Sequence, residues 1–207
     1  MTDPDPLVFV VDDEPSVRNA LGRLLKSAGF RVELCGAAEE LLDRPLPEGP
    51  ACALLDVFLP DLSGLELQRI LAERNARLPV VFLTGYGDVP TAVRAMKSGA
   101  VDFLPKPFDA PELLAAVRQA LARQARARQT GAELAEIRRR ADSLSPRERE
   151  VMALVVRGLL NKEAGHQLGV TVKTIKVHRA RVMRKMRANS LAELVRLAER
   201  LEAPAAP

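Results

Sequence analysis

The chain has 207 residues, 47% of them hydrophobic and 28% charged, with 31 Lys plus Arg against 27 Asp plus Glu. That length exceeds the roughly 100–150 residues of the commonest domain size, so two domains are expected. No run of about 18 apolar residues is available to span a bilayer, and the first residues are acidic rather than basic, which excludes a membrane-spanning helix and a secretory signal and predicts a cytoplasmic protein without membrane partners.

The net charge of +4 is unevenly spread. Residues 1–121 hold 12 basic and 18 acidic side chains, residues 122–142 hold 6 and 3, and residues 143–207 hold 13 and 6. An acidic domain therefore precedes a small basic one, and a basic small domain is the electrostatic footprint of nucleic-acid binding. The two cysteines, Cys35 and Cys52, fall in strand-like runs with no CxxC or Cys/His cluster nearby. They are expected to be reduced core residues.

In chain order, Leu7 to Val11 is a short apolar run that reads as a buried parallel strand, followed by a helix from about Pro15 to Ala28. Val17, Leu21, Leu24, Leu25 and Ala28 share one face of that helix and Gly29 ends it. A strand from Arg31 to Cys35 and a helix from Ala38 to Leu42 come next. Strands Ala51 to Leu55, Val80 to Leu83 and Val101 to Leu104 then alternate with helices Ser63 to Asn75, Val89 to Ser98 and Asp109 to about Ala125. Five βα repeats predict a doubly wound, five-stranded parallel α/β domain.

Directly after the strand runs stand Asp12 with Asp13, Asp56, Thr84 and Lys106. Residues just past the carboxyl ends of an open parallel sheet share one crevice. Three carboxylates, a hydroxyl and an ammonium are thus expected at one site. Clustered carboxylates repel unless a cation sits among them, and a small oxygen-lined acidic pocket suits magnesium. Asp56 could then act as a nucleophile toward a phosphoryl donor, with Lys106 balancing charge and Thr84 donating a hydrogen bond. Taken singly, each residue has a bland explanation as a helix cap, turn former or solvated lysine; their joint placement at successive strand ends carries the inference.

Residues 7–121 resemble the receiver domain of bacterial response regulators, in VVDDEP at 10–15, LLDVFLPDLSGLEL at 54–67 and TGYGDVPTAVRAMKSGAVDFLPKPF at 84–108. The resemblance implies a flavodoxin-like fold with Asp56 as phosphoacceptor. It implies magnesium held by Asp13, Asp56 and the main-chain carbonyl of Phe58, with Asp12 joining through water. Thr84 and Phe103 would form the switch, and Lys106 to Pro107 would be a cis bond. Pro60 and Gly64 match the loop after the acceptor. Phe58 and Tyr86, two positions past Asp56 and Thr84, are bulky and would restrict the approach of water, which predicts slow autodephosphorylation.

Residues 122–142 are rich in Ala, Arg and Gln and are expected as a partly helical linker interrupted at Gly131, with Leu134, Ile137, Ala141 and Leu144 at heptad-like spacing. The second domain, 143–207, opens on Ser145 as an N-cap with Pro146 at the first helical position. A helix to Arg157, a short helix from Asn161 to Leu168, a turn at Gly169 and a longer helix from Thr171 to about Arg187 predict a small all-α helix-turn-helix domain. The last of these carries Lys173, Lys176, Arg179, Arg181, Arg184 and Lys185, while Ile175, Val182 and Met186 read as core.

LSPREREVMALVVRGLLNKEAGHQLGVTVKTIKVHRARVMRKMRANSLAELVRLA, residues 144–198, resembles the LuxR-type DNA-binding domain of NarL/FixJ response regulators. The resemblance implies that Lys176 and Val177 touch base edges, with Thr171, Lys173, Thr174, His178 and Arg181 near phosphates. Lysine can donate to guanine and valine can meet a thymine methyl. Three positions depart from the pattern: Leu160 lacks the expected capping hydroxyl, Gly165 weakens a helix interior by roughly 1 kcal/mol, and Ala180 replaces a basic residue.

Together these features predict a phosphorylation-dependent transcription regulator, not an enzyme beyond magnesium-dependent self-phosphorylation and autodephosphorylation. The implied partners are a sensor histidine kinase, promoter DNA, RNA polymerase and, on phosphorylation, a second copy of the chain. Two alternatives use the same residues. An aspartate-nucleophile phosphohydrolase shares the acyl-phosphate chemistry but needs no helix-turn-helix, and a basic domain that binds RNA or protein would not discriminate promoter sequence.

Overall fold

The computed structural model describes residues 5–45, 47, 49–74, 78–85 and 89–203. The chain divides into two compact units, Met1–Arg128 and Gln129–Pro207. In the first, β1 (Leu7–Val11), α1 (Pro15–Ser27), β2 (Arg31–Cys35), α2 (Ala38–Leu42), β3 (Ala51–Asp56), α3 (Gly64–Glu73), β4 (Val80–Thr84), α4 (Val89–Lys97) and β5 (Asp102–Pro105) alternate and α5 (Ala110–Asp142) follows. All strand pairings are parallel, in the order β2-β1-β3-β4-β5. The order reverses at β1 and β3, and the crevice at such a switch point lies at the strands' carboxyl ends.

The continuous apolar runs follow from burial on both faces. Successive side chains point to opposite sides of a strand, so Leu7, Phe9, Val11, Ala53 and Leu55 enter one core while Val8, Val10, Cys52 and Leu54 enter another. The first core packs under Leu41, Leu67, Leu71 and Ala95 from α2, α3 and α4. The second packs under Leu21, Leu25, Leu113 and Val117 from α1 and α5. Both cysteines are free and buried, and burial pushes the Cys52 thiol up to about 12. A neutral thiol in such a place is an apolar filler.

Helix α5 corrects one expectation. It runs unbroken from Ala110 through Gly131 to Asp142, where a break at Gly131 and a partly helical linker over 122–142 were expected. One glycine costs a helix only about 1 kcal/mol, and the flanking Ala, Arg, Gln and Glu are strong helix formers. Pairs such as Glu136 with Arg140 (2.9 Å) add support at i,i+4 spacing. Within the second unit, Ile137 and Ala141 of this helix also join the core.

That unit adds α6 (Pro146–Val156), α7 (Asn161–Leu168), α8 (Val172–Met186) and α9 (Leu191–Glu202). Ile175, Val182 and Met186 lie on one side of α8 and are buried against Val151, Leu154 and Leu194. Among the described residues no helix is long and apolar enough to cross a membrane.

Candidate functional site

At the carboxyl edge of the sheet, Asp12 and Asp13 follow β1, Asp56 closes β3, Thr84 closes β4 and Lys106 follows β5. Backbone bonds set their depth: the Asp12 N–H donates to the Cys35 carbonyl (3.2 Å), and the Lys106 N–H to the Thr84 carbonyl (2.6 Å). The Lys106–Pro107 peptide is cis. The Lys106 ammonium donates to Asp12 Oδ2 at 2.7 Å and to Asp56 Oδ2 at 2.6 Å. The remaining oxygens are also engaged, Asp12 Oδ1 accepting from the Glu14 N–H (2.9 Å) and Asp56 Oδ1 from the Phe58 N–H (3.0 Å). Burial works against the Lys106 ammonium, but the hydrogen bonds and charges of Asp12 and Asp56 outweigh it and hold its pKa above the ordinary lysine value.

Ligand oxygens of Asp12, Asp13 and Asp56 lie within 4.8 Å of one another. Asp12 is fully buried, Asp56 is 7% exposed and Asp13 faces solvent. One ammonium faces three formal negative charges, so two remain uncompensated. That residue set fits a hard divalent cation, and the open side at Asp13 leaves room for the waters that magnesium usually retains.

The packing beneath Asp56 explains Gly64. A Cβ there would lie 2.2 Å from the Asp56 carbonyl oxygen and 3.1 Å from Phe82 Cε1. The Gly64 N–H meanwhile donates to the Val57 carbonyl at 3.0 Å. Close approach of two backbone segments, rather than flexibility, requires glycine here. Phe82 in turn contacts Phe103, with ring centroids 6.4 Å apart and planes at 51°. Thr84 is fully buried, and Phe58 is 56% exposed beside the site. Tyr86 lies outside the described residues.

In the second unit, Thr171 caps α8 by accepting from the Thr174 N–H at 3.1 Å. The two threonine hydroxyls lie 2.9 Å apart. Gly169 ends α7 in the left-handed region, and the Val170 N–H returns to the Gly165 carbonyl at 2.9 Å. A Cβ on Gly165 would approach the Val170 oxygen to 2.9 Å, so the tight turn accounts for a residue that helix propensity disfavours. Leu160 has no side-chain acceptor for the N-cap of α7, and only the return bond from its N–H to Glu163 Oε2 (2.7 Å) is present. Lys173, Lys176, Val177, Ala180, Arg181 and Arg184 recur on the exposed face of α8. His178 is half-buried, its Nδ1 enclosed without a hydrogen-bond partner among the described residues.

Two of the basic residues that α8 carries are engaged within the unit. Arg179 donates to Asn161 Oδ1 at 3.2 Å, and Lys185 donates to Glu148 Oε2 at 2.6 Å. Glu148 is 3% exposed and also closes a capping box with Ser145, accepting its N–H at 2.9 Å. The Lys185 hydrogen bond, followed by that from Ser145, holds its carboxyl down to about 2.

Residues 8–118 match the response regulator receiver domain, and residues 142–198 match the bacterial regulatory proteins of the luxR family. The chain is a response regulator of the NarL/FixJ family. It is 47% identical over 195 residues to nodulation protein W of Bradyrhizobium diazoefficiens, covering 94% of this chain and 86% of that protein. Transcriptional regulatory protein FixJ of Azorhizobium caulinodans is 46% identical over 191 residues, covering 92% and 90%. Among solved structures, response regulator StyR superposes with a TM-score of 0.84 at 45% identity, covering 94% of this chain and 98% of that one. A response regulator of this build takes its signal from a sensor kinase and binds DNA, and it is not a turnover enzyme.

Arg18 was invisible to sequence reasoning: its Nη1 donates to the Asp12 carbonyl at 2.6 Å from the first turn of α1. Glu148 was visible only as half of a Ser-x-x-Glu signature, since its partner Lys185 lies in a different helix.

Gly64→Ala is expected to destabilise the receiver by about 1–3 kcal/mol, as overpacking does, because backbone and a buried ring must both yield. A urea midpoint equal to wild type would show that the Asp56 carbonyl moves aside freely. For Glu148, the folded state holds the carboxyl at about 2 against an ordinary 4.5, so its contribution to stability is full above 4.5 and is lost as the pH falls toward 2. Glu148→Gln should therefore flatten part of the acid decline in urea midpoint of the full chain; an unchanged slope would contradict the assigned ion pair.

Proposed function

We propose that this response regulator accepts a phosphoryl group on Asp56 and thereby controls its binding to promoter DNA. The observation that supports this most is the Asp56 carboxylate, 7% exposed, held 2.6 Å from the Lys106 ammonium beside a second carboxylate pair. A carboxylate oxygen of Asp56 attacks the phosphorus of a histidine-kinase phosphohistidine. The new P–O bond forms as the P–N bond breaks, and the histidine nitrogen leaves with that electron pair. Lys106 stays beside the product, where its charge neutralises phosphoryl oxygens, and the Thr84 hydroxyl donates to one of them. Asp13, Asp56 and the Phe58 carbonyl would hold magnesium, with Asp12 linked through water. When bound, that ion supplies positive charge to the phosphoryl oxygens.

Thr84 and Phe103 then rearrange, altering the face of α4, β5 and α5 and favouring a homodimer. Lys176 and Val177 read base edges, while Thr171, Lys173, Thr174, His178 and Arg181 hold phosphates and supply the salt-dependent part of affinity. The protein acts in the cytoplasm, with RNA polymerase as its downstream partner. Residues 1–121 serve as receiver, 122–142 as connector and 143–207 as DNA-binding domain.

With magnesium and a phosphoramidate donor, intact mass should rise by one phosphoryl group and the chain should dimerise, both changes being absent in Asp56→Asn. Addition that persists in Asp56→Asn would rule out this acceptor. Phe58→Asn and Tyr86→Ala should each shorten the acyl-phosphate lifetime. Lifetimes unchanged in both would refute the shielding.

A further inference from the structure

We infer that Glu148 is a positioning residue for DNA recognition, because its ion pair with Lys185 fixes the rotation of α8 about its own axis and so decides which side chains face the groove. The inference rests on α8 being the base-contacting helix.

Lys185 follows Lys176 by nine positions, which at about 100° per residue places it on the opposite side of α8. The ammonium is turned into the domain. It donates to Glu148 Oε2 at 2.6 Å and to the Ser143 carbonyl at 2.9 Å, so it is tied to the start of α6 at two points. Glu148 is itself immobilised: its side chain is 4% exposed, and its Oε2 also accepts the Ser145 N–H at 2.9 Å. Both partners of the pair are therefore anchored to backbone as well as to each other.

The Lys185 pair adds a charged, directional contact to the other contacts of α8. Ile175, Val182 and Met186 set which side of the helix faces the core through close packing. Arg179 reaches Asn161 Oδ1 at a longer 3.2 Å. At the carboxyl end, the Arg140 guanidinium stands 3.5 Å from the Met186 carbonyl, and Arg187 stands 3.7 Å from Glu136. The last two distances are too long to set an angle, whereas the Arg179 bond holds α8 to the start of α7. A charged pair of this kind adds less to stability than an apolar pair of equal volume can, and its best-attested use is to set register. Here the register is that of a helix whose exposed residues include Lys173, Lys176, Val177 and Arg181.

The test uses the full-length chain and two probes: the tightest duplex that wild type selects from a randomised pool, and unselected random duplex of the same length. Glu148→Gln keeps the size of the side chain and removes its charge. The double variant E148M/K185M removes both charges and keeps the volume, so it should melt at or above the wild-type temperature. If the pair positions α8, both variants bind the selected duplex about tenfold more weakly, the order of one misplaced base contact, while affinity for random duplex stays within about twofold. Recovery of the wild-type ratio by E148M/K185M together with its melting temperature would overturn the inference, because stability alone would then suffice. Lys176→Ala is the control for the underlying assignment. An undiminished ratio in that variant would overturn the reading of α8 itself, whatever Glu148 variants do.

Discussion

Two carboxylates at the ends of the paired strands β1 and β3 are forced close together in this receiver, and one ammonium stands between them. Lys106 follows β5 at one edge of the sheet, whereas Asp12 follows β1, with β3 and β4 between. The Lys106 ammonium nevertheless reaches Asp12 and Asp56 together. Without it, repulsion between the acids would oppose the strand order that packing demands. The apolar alternation of the strands drives the sheet to form, and forming the sheet drives the acids together. One positive charge reconciles the two.

The same crevice is rigid on its lower side. The Asp56 carbonyl, Gly64, Phe82 and Phe103 form one contiguous stack, with no space for a methyl group between the first two. A buried core transmits displacement because it is close-packed, so a shift of the Asp56 backbone must be met by movement of the rings or of α3. Arg18, bonded to the Asp12 carbonyl, gives β1 a comparable restraint. The chemistry-bearing side chains thus stand on backbone that is held from behind on both of the strands that supply carboxylates.

What could be read from sequence and what could not divide along physical lines. The strands were legible because a parallel strand buried on both faces is a short unbroken apolar run, and the acids and lysine were legible because strand ends are where such sheets carry function. The display expected of α8 rested on the resemblance to the LuxR-type domain. Contacts between residues far apart in sequence were not legible: Lys185, one of the cations that α8 carries, pairs with Glu148, and nothing local to either residue announces it. Gly131 misled for the opposite reason, since a weak local preference for breaking a helix is outvoted by neighbours and by burial of Ile137. Gly64 was noticed, but its cause, the nearness of another backbone segment, belongs to tertiary structure.

Both units bury a carboxylate against a lysine from a distant element, and the difference between the two pairs indicates how each is used. Around Glu148 the charges balance, one against one, backbone groups satisfy both partners, and solvent is nearly excluded from the acid. Such a pair has no reason to open. Around Lys106 the charges do not balance: three carboxylates face one ammonium, and Asp13 remains exposed to water. A partly compensated acidic cluster with an open side is stabilised further by anything that brings positive charge, and its lysine is free to transfer its hydrogen bonds to an incoming anion. The closed pair therefore suits a fixed geometry, and the open one suits a reaction.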